Sequence, residues 1–129
     1  MAQVKVYALK SHLSLVKNEL SKVIHTTIVE KLSFPQAKKF HRFIAFDKED
    51  MLFPSDKSEA YTIIEIMMME GRSLETKKGL IKALFLNIEA SLGMDVNDIE
   101  ITLIESPASN WGFRGKTGDE IQLNYSINI

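Results

Sequence analysis

The sequence predicts an α/β (α+β) chain. Two tandem β-α-β repeats form a four-stranded sheet with two helices on one face, and a C-terminal strand follows. Three observations predict it: an internal repeat, the order of hydrophobic periods inside each half, and an alternating tail. Shifting the chain by 60 positions places Val4 and Val6 on Ile64 and Ile66. Lys17, Leu20 and Lys22 fall on Lys77, Leu80 and Lys82, and Ile28, Leu32 and Ile44 on Ile88, Leu92 and Ile104. Self-similarity at a fixed spacing marks a repeated supersecondary unit.

The first repeat covers about 2–46. Gln3 to Leu9 alternates with Val4, Val6 and Ala8 on one face, the period of a strand. Ser11 or Ser14 is expected to cap a helix. Leu13, Val16, Leu20, Ile24, Ile28 and Leu32 then recur at helical spacing. Pro35 interrupts, and Phe40 to Phe46 reads as a second strand. A polar linker follows at 47–60, with Asp47 to Asp50 as a solvated charged stretch.

The second repeat covers about 61–105. Tyr61 to Met69 is almost continuously apolar, which suits a strand covered on both faces. Gly71-Arg72-Ser73 turns the chain, with Ser73 as N-cap. Leu74, Ile81, Leu84, Ile88 and Leu92 make the helical stripe, closed by Gly93. Ile99 to Ile104 returns as a strand with Ile99, Ile101 and Leu103 on one face. Residues 106–129 are a loop and a last strand. Pro107 to Asp119 reads as mostly loop, and Ile121, Leu123, Tyr125, Ile127 and Ile129 alternate with polar residues. Helical crossovers join parallel strands right-handedly, so both helices lie on one face. The apolar run through Ile63, Ile64, Ile66, Met67, Met68 and Met69 then needs cover on the other face, which predicts self-association.

Composition bounds the function. The chain of 129 residues carries a net charge of −1. That balance argues against a nucleic-acid partner and against an electrostatic membrane binder. No apolar run approaches the roughly 18 residues of a membrane span, and Met1-Ala2-Gln3-Val4-Lys5 lacks a signal-peptide core. The absence of cysteine removes disulfides, zinc-thiolate sites and a thiol nucleophile, and suits the cytoplasm. No cofactor or metal is expected: there is no P-loop, G-x-G-x-x-G, nucleophile elbow or acidic metal run. His12 reads as loop surface, His25 as a packed or surface helix residue, and His41 as structural or solvated. The three show no ligand spacing.

Several segments together resemble the tautomerase superfamily. They are Val23-Ile24-His25 with Ile28-Val29-Glu30, Pro35, Glu70-Gly71-Arg72-Ser73 with Lys77-Lys78, and Glu105-Ser106-Pro107 through Trp111-Gly112-Phe113. The resemblance is nearest to the branch of malonate semialdehyde decarboxylase. It implies a homotrimer acting on small keto or enol carboxylates with an N-terminal proline as acid or base. An α-amine titrates lowest among ordinary amines, and apolar burial with a neighbouring cation lowers it further. The resemblance makes Arg72 the carboxylate anchor and Trp111, Phe113 and Arg114 the substrate-binding wall.

This chain departs from that pattern in three places. Ala2 stands where the proline is expected, so its amine serves only if Met1 is removed. Arg72 stands alone where a pair of arginines is common, and Lys38 replaces an aspartate. Arg72 also reads as a solvated cation badly placed for a helix dipole. Trp111 and Phe113 also read as cover for the core edge. Three functions stay open: an amine-based tautomerase, a catalytically silent trimer binding a small anion, and a structural oligomer using its last strand to bind a partner.

Overall fold

The computed structural model describes residues 2–129. Strand β1 (Ala2–Leu9) leads into helix α1 (Lys10–Leu32), and β2 (His41–Phe46) completes the first unit. Strand β3 (Thr62–Met69), helix α2 (Leu74–Leu92) and β4 (Ile99–Ser106) form the second. The sheet order is β2-β1-β3-β4. Strands within each unit are parallel, and the units meet through the antiparallel pair β1–β3. A short hairpin follows, β5 (Gly112–Phe113) and β6 (Lys116–Thr117), inside the stretch expected to be loop.

The two halves obey the 60-residue offset closely. β1 and β3 begin and end at equivalent positions and share one alternation of buried and half-buried residues. Lys5 lies opposite Glu65, its own equivalent. In the helix layer, the Asn87 amide donates to the Thr27 hydroxyl at 3.0 Å, and these positions are again equivalents. A pseudo-two-fold axis therefore runs between Lys5–Glu65 in the sheet and Thr27–Asn87 in the helices.

The core lies between sheet and helices. Val4, Val6, Ile64, Ile66 and Met68 meet Leu20, Ile24, Ile28, Leu80, Leu84 and Ile88. The opposite sheet face carries Tyr7, Ile44, Phe46, Ile63, Met67 and Ile104, and in the single chain it is only partly covered. Tyr7 donates to Glu65 at 2.8 Å across that face and stacks on Phe46. The apolar run of β3 is thus buried on one side, while Ile63 and Met67 remain half-exposed.

Three expectations are corrected. Neither Ser11 nor Ser14 caps α1: the helix starts directly at Lys10, after Leu9, with no side-chain cap. The strand feeds the helix without a turn, so both serines fall inside the first turns, where Ser14 donates to the Ser11 carbonyl. His12 belongs to the same turns and is half-buried, not loop surface. Residues 121–129 form no strand. Ile121, Leu123, Tyr125 and Ile127 are half-buried between exposed polar residues, as the alternation demands, and Ile129 is exposed, but their backbone joins no ladder. Alternation reports which side faces inward; a ladder also needs hydrogen bonds to a neighbouring strand's backbone.

The connection after α1 is tied down by histidines. The His25 Nε2–H donates to the Gln36 carbonyl at 2.7 Å. His41 Nδ1 and the Ser21 hydroxyl share a hydrogen bond of 2.8 Å, and the two imidazoles meet edge to face. Burial, then Lys39 and His25, hold His41 down to about 4. The unfolded chain takes up a proton near 6.5 that the folded chain refuses. The stabilisation is therefore complete above pH 6.5 and is lost as pH falls towards 4. It amounts to about 1–3 kcal/mol after discounting for partial exposure. Chemical denaturation between pH 7 and 5 should show a fall that His41→Asn flattens; parallel curves would count against it.

Candidate active site

The far end of the sheet gathers most of the residues singled out in the sequence. Ala2 opens β1 opposite Met68 near the end of β3, is 4% exposed, and packs into the core. Two residues past Met69 the chain turns through Gly71, at φ +145°. Arg72 follows, and α2 starts after Ser73, whose hydroxyl accepts from the Thr76 N–H at 3.2 Å. Arg72 is therefore not the solvated cation of the alternative reading; it is 4% exposed.

Its guanidinium is under-satisfied. Nη1 donates to the Met69 carbonyl at 3.3 Å, while Nε and Nη2 are buried with no acceptor. Burial lowers its pKa, opposed by Tyr125 and Glu105. An arginine nonetheless keeps its charge in a protein. Glu105 is itself held by Lys77 at 2.8 Å. A buried cation with unused donors costs free energy unless something anionic or polar occupies the space before it.

Trp111 reaches the same region through Met69. Gly118 sits so tightly that a Cβ there would lie 2.5 Å from the Ala108 carbonyl and 2.8 Å from the Met69 methyl. The Trp111 Cβ would be 3.2 Å away. The Gly118 N–H donates to the Trp111 carbonyl at 2.7 Å, fixing the start of the hairpin. The indole Nε1–H is buried and also without an acceptor. Arg72 bonds to Met69, and Trp111 and Met69 both crowd Gly118, so two residues with buried, unused donors flank Met69's part of the fold.

Phe113 and Arg114 are placed differently. Phe113 lines an open cleft on the hairpin with Lys116, Thr117 and Glu120. Arg114, at φ 55°, lays its guanidinium over the Phe113 ring at 5.6 Å. Its charge still reaches the Tyr125 phenol. Tyr125 is the residue that sequence reasoning missed. The alternation placed it on the inward face, but nothing in that pattern says that the face meets Arg72. Elsewhere, Asp47, Glu49 and Asp50 bring carboxylates together on a turn, and all three are exposed.

Residues 38–114 match the family described as tautomerase enzyme. The chain belongs to the tautomerase family. Over 100 residues it is 22% identical to the probable tautomerase YusQ of Bacillus subtilis (strain 168), covering 74% of this chain and 79% of that one. Among solved structures it is similar to malonate semialdehyde decarboxylase, a protein described with decarboxylase and hydratase activities. The TM-score is 0.78 at 18% identity, covering 88% of this chain and 92% of that one. A fused 4-OT, described as a symmetric trimer, also gives 0.78, at 24% identity over 91% and 96% of the two chains. These likenesses establish the tautomerase fold. Among the described residues, no helix of this tautomerase-family chain is long and apolar enough to cross a membrane.

Proposed function

We propose that this tautomerase-family chain interconverts the keto and enol forms of a small carboxylate-bearing substrate. The observation that carries the reading is the buried Arg72 guanidinium, with two donor nitrogens unused, at the sheet end where β1 begins. Arg72 binds the substrate carboxylate and, with Trp111, stabilises negative charge on the enolate oxygen. Phe113 and Arg114 extend the site from the hairpin. The base is the α-amine of Ala2, which becomes available when Met1 is removed; Met1 lies outside the described residues. Apolar surroundings lower an α-amine from its usual 7.7–8.0 towards neutrality. The amine takes the proton from the carbon beside the carbonyl, the enolate forms, and the proton returns on oxygen.

Turnover of the phenylpyruvate enol tests this, alongside intact mass. Rates should scale with the fraction of chains lacking Met1 and vanish where Met1 is retained. Equal turnover with Met1 in place removes the amine from the mechanism. A second reading, a silent anion-binding trimer, is favoured by the packing of the Ala2 methyl into the core. It requires carboxylate binding without turnover. In either case the partly covered sheet face is the surface through which three copies associate. A cytoplasmic location goes with both.

A further inference from the structure

We propose that the partly covered sheet face docks head to tail on a second copy of this chain, with the basic half of one face against the acidic half of the next. The inference rests on the reading of that face as the surface of self-association. Its strand charges are sorted by repeat. β1 and β2 place Lys5 and Arg42 on the face, and no anion. β3 and β4 place Glu65 and Glu100 on it, and no cation. With the order β2-β1-β3-β4, the face runs from a positive edge to a negative edge. The internal symmetry makes the contrast plain: Lys5 and Glu65 are equivalents of opposite sign, paired across β1 and β3.

The cations are not answered within the chain. Lys5 is half-buried, and none of the ion pairs among the described residues includes it. Glu65 stands opposite Lys5 but accepts from the Tyr7 hydroxyl at 2.8 Å. Arg42 is exposed on the outer strand β2, and its Nη2 donates to the neutral Gln3 amide oxygen at 3.0 Å. Glu100 lies on the other outer strand, β4, where it accepts from the Tyr61 hydroxyl and has the Lys57 ammonium at 3.9 Å. Three strand spacings separate β2 from β4, roughly 14 Å, so Arg42 and Glu100 of one chain form no pair.

Covering the face forces a choice on these charges. Ile44, Phe46, Ile63, Met67 and Ile104 lie around them, so a copy that buries the apolar side chains also takes water from Lys5 and Arg42. A desolvated cation needs an anion against it. The anions this face offers are Glu65 and Glu100, and a second copy brings them to the cations only when its acidic half meets the basic half of the first. Basic half on basic half sets like charges together, which is repulsive. A contact between two different patches is heterologous, and repeated from copy to copy it closes as a ring.

Light scattering of the full chain over a dilution series tests the pairing. Arg42→Glu and Glu100→Lys should each raise the concentration at half-assembly about tenfold or more, with far-ultraviolet circular dichroism unchanged. Thr102→Lys, at an exposed neighbour on β4, puts a cation on the same edge without touching the Tyr61 contact and should act as Glu100→Lys does. Adding Arg42→Glu to either lysine variant should restore assembly to that of the parent, because the reversed charges meet between copies and not within one. Single variants that assemble like the parent overturn the proposal. So do double variants that assemble less well than the singles, and so does a parent that stops at two chain masses. If the parent stays a single chain at every concentration, the reading of the face as a surface of self-association falls first, and this inference with it.

Discussion

Arg72→Met is expected to raise the melting temperature of this protein and to abolish the carboxylate binding proposed for it. Both effects have one cause. The guanidinium is buried, donates one hydrogen bond of 3.3 Å, and leaves Nε and Nη2 without acceptors. An unsatisfied buried polar group costs about 1–3 kcal/mol, more when charged. Methionine fills a similar volume without donors and adapts to irregular surroundings. The bond to Met69 is lost, but the desolvated charge goes with it. The net gain of about 1–2 kcal/mol corresponds to roughly 3–10 °C in a chain of this size. Loss of a charged anchor costs about 100-fold or more in binding or turnover. Scanning calorimetry and phenylpyruvate titration measure the two sides. A fall in melting temperature would mark Arg72 as a structural cation, and unchanged binding would remove it from the site.

Met67→Lys is expected to leave a folded single chain where the parent assembles as the proposed trimer. Met67 points away from the helices, is half-exposed in the isolated chain, and sits centrally between Gln3 on β1 and Ile104 on β4. Neither neighbour is anionic. In one chain the lysine stem lies along the sheet and its ammonium stays in water. Between three packed sheets the same ammonium is desolvated without a partner, a penalty of several kcal/mol at each copy. Light scattering should give three chain masses for the parent and one for the variant, with matching far-ultraviolet circular dichroism. A parent of one chain mass, or a variant that stays assembled, would overturn the proposed association.

Much of the architecture was readable because burial here follows period. The offset of 60 predicted two strands that share bounds and alternation, and the Gly71-Arg72-Ser73 turn fell where Ser73 caps α2. What failed depends on partners rather than on period. Ser11 and Ser14 look like caps only if a turn separates strand from helix, and none does. Ile121 to Ile129 alternate as a strand would, yet a ladder needs backbone pairing, and they pair with neither outer strand of the sheet, β2 or β4. The site divided in the same way. Arg72 was accessible from its place in a turn. The packing of Tyr125 was not, because its neighbours Phe34 and Lys38 come from a distant segment that only the fold brings to it.

The pseudo-two-fold axis limits how many times this chemistry can occur in one chain. Symmetry offers two equivalent places, one centred on Ala2 and one on Thr62, at opposite ends of the paired strands β1 and β3. Only a chain end can carry a backbone α-amine. Position 62 lies inside the chain, so its nitrogen is always an amide and no side-chain change can make it a base of that kind. On the proposed function, the unit that holds β3 therefore furnishes the arginine turn for the other unit's strand. The two halves then divide the labour of that proposed function: one brings the amine, the other the charge, and each folded chain has one set.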